Sequence, residues 1–109
     1  MESNKLTVLD HPLPLKAYPP ADLDKVMETV FKYWISNLFS LKADQNEKVD
    51  LALPVIITHC WSMGLNEVTN MFEMYVDGKL DLKPIPNHFD RILVGQIYKS
   101  FKAQSRERV

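Results

Sequence analysis

Cysteine is almost missing from this chain: Cys60 is the single one in 109 residues. That excludes an intramolecular disulfide framework and makes a reducing compartment, the cytoplasm, the expected setting. Glycine is scarce as well. Gly64, Gly78 and Gly95 stand alone, so no glycine-rich loop is available to cradle a phosphate. No sign of charge is in surplus. Thirteen Lys+Arg against 14 Asp+Glu leave a formal net charge of -1, too little for a global field that would gather nucleic acid. Long apolar runs are absent too. The longest, residues 51–57, contains Pro54 and is far too short to cross a bilayer. Met1 to Asp10 lacks the apolar core of a signal peptide. No membrane partner is expected.

What is present is an ordinary globular balance, 46% hydrophobic and 25% charged residues. At this length that supports one domain with one core. Proline is concentrated at the start, with Pro12, Pro14, Pro19 and Pro20 among the 7 in the chain. Each fixes its own φ and pushes the preceding residue towards extended backbone. The pattern predicts an extended arm over residues 1–19 and a helical domain over residues 20–109. Leu13, Leu15 and Tyr18 are apolar points in the arm, suited to lie on the body or on a partner.

Helical periodicity dominates the remainder. A first helix should start near Pro20, with Asp22 and Asp24 at its positive end. Val26, Val30, Phe31, Trp34, Ile35, Leu38 and Phe39 form its apolar face, widened by Tyr33 and Leu41. A second helix is expected over roughly residues 47–63. Pro54 either lies near its start or kinks it, since an interior proline removes a backbone donor. Val55, Ile56, Ile57, Cys60 and Trp61 make this the most buried segment, and a short buried strand is the competing reading. A third helix runs from about Leu65 to Asp77, capped by Gly64 or Asn66, with Val68, Met71, Phe72 and Tyr75 inside and Gly78 as a left-handed stop. An extended connector carries Leu80, Leu82 and Ile85. A fourth helix is expected after Asn87, with Asp90 as the reciprocal partner of that cap. Phe89, Ile92, Leu93, Ile97 and Phe101 line one of its faces. The fold class is all-α: a compact bundle of about four helices with an extended Pro-rich N-terminal arm.

The chemistry-bearing residues do not assemble into a catalytic set. His59 and Cys60 are the one adjacent pair of soft ligands, and zinc needs about four. As neighbours on a helix they point about 100° apart, a poor nucleophile–base pair. Asp77 and Asp90 suit turn and cap roles. No catalytic residue, metal or cofactor is expected. Met63, Met71 and Met74 fill a core more naturally than they line an adaptable binding surface. The basic end is the one positive signal. Arg91, Lys99, Lys102, Arg106 and Arg108 accompany Tyr98 and Phe101, a set able to contact phosphate while the rings stack on bases. A helix C-terminus also favours cations through its dipole alone.

The later part of the chain carries a further pattern. Glu67-Val68 opens a helix, followed by Met71-Phe72, Gly78-Lys79-Leu80-Asp81, Phe89 before the last helix, and Ile97-Tyr98-Lys99-Ser100-Phe101-Lys102 with Arg106. This resembles small helical proteins of bacteriophages and other mobile elements, some encoded near replication functions. The resemblance covers less than half of the chain. Pro84 and Pro86 depart from it, and the first half has no counterpart. It implies a replication-accessory or host-interaction setting and carries over no functional residue. The resulting expectation is a non-enzymatic adaptor or modulator that binds a protein and is able to self-associate. Nucleic-acid binding through the last helix is the alternative, and inhibition of a host defence or polymerase protein is a third.

Overall fold

The computed structural model describes residues 13–85 and 87–107, the last two by backbone alone. Residues 1–12, which make up most of the expected arm, lie outside the described residues. Four helices enclose one core, and among the described residues there is no strand, only an isolated antiparallel bridge between Pro14 and Gly64.

Helix α1 covers residues 20–38. It consists of Pro20–Val26, a π-helical Met27–Phe31 and Lys32–Leu38. Pro20 occupies its first position, where a missing N–H costs nothing. The buried residues are Leu23, Met27, Phe31, Ile35 and, just past the end, Phe39. They step by four each time. Over four such steps a regular helix of 3.6 residues per turn drifts by roughly 160°. The wider π turn takes up much of that drift and holds the series on one side. Tyr33 belongs to the opposite side and is exposed, contrary to the broad face expected of it. The helix ends earlier than Leu41. Ser40, at φ +53°, makes a left-handed stop, and Leu41 N–H reaches back to the Ser36 carbonyl at 2.9 Å.

Helix α2, Asn46–His59, follows a short 3₁₀ turn, Ala43–Gln45. Pro54 sits inside it, so the helix runs through the proline rather than starting there. Val49, Ala52, Leu53 and Ile56 are buried, as is Cys60 beyond the end. The helix stops at His59, short of Met63. Trp61 therefore belongs to a loop and is about half exposed, not a core anchor.

Helix α3, Leu65–Val76, buries Val68, Met71, Phe72 and Tyr75 as the spacing predicts. Gly64 is its cap residue, and Gly78 ends it at φ +73° with Lys79 N–H bonded to Met74 O at 2.8 Å. In the connector Leu80 is buried and Leu82 packs on the core, while Ile85 is exposed. Helix α4, Arg91–Glu107, starts later than Asn87. Asp90 is its cap, with Oδ1 accepting from Leu93 N–H at 2.8 Å. Asn87 instead takes a left-handed turn at φ +56°.

The core centres on aromatic rings. Phe39 meets Phe89 at 5.0 Å, Tyr75 at 5.8 Å and Phe72 at 6.2 Å between centroids. These contacts tie the end of α1 to α3 and to the residue that precedes α4. Edge-on and offset pairs of this kind add to the burial of their area.

Candidate interaction surface

Helices α2 and α4 share the most extensive packing in the bundle. Two contacts give their relative direction. At one end Gln45 Nε2 donates to the Asn87 carbonyl at 2.9 Å. At the other the His59 ring stacks on Tyr98 with centroids 5.0 Å apart. The two helices therefore run side by side in the same sense. His59 lies beside Gly95 and Tyr98, and Leu51 lies towards the Arg91–Ile92 end.

This pairing leaves an outer face. Leu51 is 57% exposed and Ile92 is 70% exposed. Val55 and Tyr98 are partly covered. Ile92 was expected inside with Leu93 and Ile97. It lies off their stripe because α4 turns Leu93, Val94, Ile97 and Phe101 to the core, and position 92 falls on the far side. Glu47 and Lys48, one turn before Leu51 on α2, and Arg91 and Lys99 of α4 are exposed. Lys102 Nζ lies over the Tyr98 ring, 5.7 Å from its centroid, so that Tyr98 has His59 on its ring and Lys102 above it. Residues 91–106 contain no aspartate or glutamate.

The basic end is thus partly rearranged relative to its reading as a stacking platform. Phe101 is buried in the core and Tyr98 is already occupied. Arg91, Lys99 and Lys102 are on the surface of α4. The Arg106 side chain and the whole of Arg108 lie outside the described residues.

The arm residues separate in the same way. Leu15 is fully buried. Its N–H bonds to Met63 O at 3.0 Å, and Lys16 N–H bonds to Trp61 O at 3.1 Å. Leu15 is a core residue pinned to the loop between α2 and α3, which removes its side chain from any partner surface. Leu13 remains exposed and Tyr18 is half-buried against the core.

Concave regions lie elsewhere. A groove of about 680 Å³ separates the π segment of α1 from Pro54 of α2. Met27, Leu53 and Ile57 line it, with Asp24, Glu28 and Asp50 at its edges. Lys32 Nζ bonds Asp50 across it at 2.6 Å. A smaller cavity, about 330 Å³, lies between the end of α1 and the connector, near Ser40, Tyr75 and Ile85.

The reactive side chains have structural duties. Burial pushes the Cys60 thiol up to about 12, with Lys102 lowering it and Glu67 raising it further as smaller influences. His59 is stacked, Asp90 caps α4, and Met63 and Met71 are buried. Among the described residues no group of three or more His, Cys, Asp or Glu is placed to hold a metal ion, and no helix is long and apolar enough to cross a membrane.

These elements define an all-α helical bundle. No protein-family model matches the chain, and no curated protein or solved structure matches it significantly.

Proposed function

We propose that this protein is a non-enzymatic binding module that presents the α2–α4 face to a protein partner in the cytoplasm. The observation that carries this reading is the pair of aliphatic side chains, Leu51 and Ile92, held more than half exposed on two packed helices. Apolar side chains held in water by a rigid scaffold gain burial when a partner covers them. The structural roles of Cys60, His59 and Asp90 support a binding role over chemistry. Resemblance of the later part of the chain to small phage and mobile-element proteins supports placing this work beside DNA replication.

A second reading has its own support. The carboxylate-free stretch from Arg91 to Arg106 suits phosphate contacts. It would act without base stacking, because neither Tyr98 nor Phe101 offers a free ring.

Affinity capture from a host lysate, with and without nuclease, tests both. Wild type is compared with a Leu51→Asp/Ile92→Asp double variant whose helicity is verified. The expected result is a protein that survives nuclease and is lost with the variant. Recovery that disappears with nuclease, or that the variant retains, overturns the module reading for this face.

A further inference from the structure

We infer that the cavity between the end of α1 and the connector is a binding site for a small uncharged molecule that carries a carbonyl or amide group on an apolar body. This stands apart from the binding-module reading, which concerns the α2–α4 face.

The first argument is what surrounds the space. Phe39 and Tyr75 line it and are buried, which sets its inner end. Ser40 and Asn87 line it and are exposed, so they stand at its mouth. Leu38, Val76 and Pro84 add apolar wall. Among the described residues none that lines the cavity is charged. Asp77 and Lys83 adjoin lining residues in sequence but do not line the space themselves. A carboxylate or an ammonium entering here would lose water and meet no opposite charge, which is costly. A neutral ligand avoids that cost. The volume, about 330 Å³, also fits a small molecule. Apolar cavities of about 150 Å³ take up benzene, and small-ligand sites start at about 300 Å³. This space holds one ring with substituents, or a short chain.

The second argument is spare hydrogen-bonding capacity. The Tyr75 hydroxyl accepts from the Ile85 N–H at 2.9 Å. A phenol also has a proton to donate, and no acceptor for it is found among the described residues. Tyr75 is only 1% exposed, so this donor is at the inner end, away from bulk water. A ligand carbonyl would accept from it. At the mouth, the Ser40 hydroxyl and the Asn87 side-chain amide make no hydrogen bond with the described residues either. Three polar side chains thus surround an otherwise apolar space, which is the composition of a small-molecule site.

The third argument is the choice of residue at two turns. Ser40 and Asn87, at φ +53° and φ +56°, are the non-glycine residues in left-handed backbone among the described residues, and both line this cavity. Glycine serves the same conformation at Gly78. It would serve positions 40 and 87 with less strain, but without a polar side chain at the mouth. Turn formation alone does not account for that choice. A ligand contact does, and unusual backbone of this kind gathers at binding sites.

NMR shift mapping on the full chain tests this with four matched probes: benzamide, benzoate, benzylammonium and toluene. Benzamide should move the amide signals of residues 40, 76 and 85 in a saturable way. Toluene, which lacks an acceptor, should bind there more weakly. Benzoate and benzylammonium should leave those signals in place. Tyr75→Phe keeps the ring, removes the donor and should weaken benzamide by about fivefold, the worth of one neutral hydrogen bond. That variant also frees the connector, so Ser40→Gly/Asn87→Gly is the decisive one. It should fold more stably than wild type and yet bind benzamide several-fold more weakly. Absence of a saturable shift at residues 40, 76 and 85 overturns the inference. So does toluene, benzoate or benzylammonium bound as tightly as benzamide, or a double glycine variant that binds as wild type. Benzamide shifts confined to the surroundings of Leu51 and Ile92 would overturn it as well. None of these outcomes bears on partner capture by the α2–α4 face, which is tested separately.

Discussion

The Tyr75 hydroxyl accepts a hydrogen bond from the Ile85 N–H at 2.9 Å. Tyr75 lies in the last turn of α3, and Ile85 belongs to the Pro-rich connector ten residues later. One side chain thus ties a segment without secondary structure to the aromatic core, where the same ring stacks on Phe39. Tyr75→Phe keeps the ring and removes the acceptor. The Ile85 N–H then lacks its partner beside the small cavity. A loss of about 1–2 kcal/mol is expected, read as a lower urea midpoint with an unchanged slope. An unchanged midpoint would mean that water replaces the hydroxyl without cost.

Ser40 and Gly78 end α1 and α3 in the same left-handed conformation, at φ +53° and φ +73°. Glycine occupies one site and a residue with a Cβ the other. Ser40→Gly should therefore stabilise the fold by about 0.5–1 kcal/mol, and Gly78→Ala should destabilise it by about 1 kcal/mol. Nothing lies within 4 Å of a Cβ built at Gly78, so the second effect would report backbone conformation alone. Thermal unfolding of the two variants measures both signs. Equal effects in one direction would contradict the assignment.

Cys60 links burial to pH. Its thiol is raised from an ordinary 9.0 to about 12, chiefly by desolvation. The folded state thus favours the neutral thiol. Its contribution is complete below about pH 9 and is lost as pH rises from there towards 12. Urea midpoints of wild type should fall faster above pH 9 than those of Cys60→Ala. Alkylation of the native protein should be slow at neutral pH and accelerate in urea with unfolding. Fast alkylation of the folded chain would show that the thiol is reachable.

Much of the architecture was legible because it rests on local rules. Pro20 at a first helical position, Gly78 as a stop and the Val68–Met71–Phe72–Tyr75 stripe each follow from backbone preference or periodicity. The four-residue stepping of Phe31, Ile35 and Phe39 was visible too. The π turn that keeps it on one side was not, because nothing local in Met27–Phe31 distinguishes a wider turn. Tertiary choices were hidden as well. Ile92, Leu93 and Ile97 are equally apolar, and only the direction from which α2 approaches decides that Ile92 faces out. The same holds for Trp61, which the end of α2 at His59 leaves in a loop. The candidate surface was half legible. Its cations stood in the sequence. Leu51 and the pairing of His59 with Tyr98 depend on two helices more than thirty positions apart.

The N-terminal arm offers the sharpest separation of folding from binding. Leu15 is fully buried, and two backbone bonds join residues 15 and 16 to the loop after α2. Leu15→Ala should cost about 2–4 kcal/mol, the range for deleting a buried aliphatic side chain. Removing residues 1–18 should cost at least as much, since the bonds go with the side chain. Partner capture by that truncated chain would therefore confound lost contact with lost fold. Removal of residues 1–12 leaves Leu15 and both bonds in place. Its urea midpoint, measured beside capture, shows whether the fold is kept. Capture that survives this shorter truncation assigns recognition to the helical body, as the α2–α4 face requires. Capture lost at unchanged stability would move recognition to the arm.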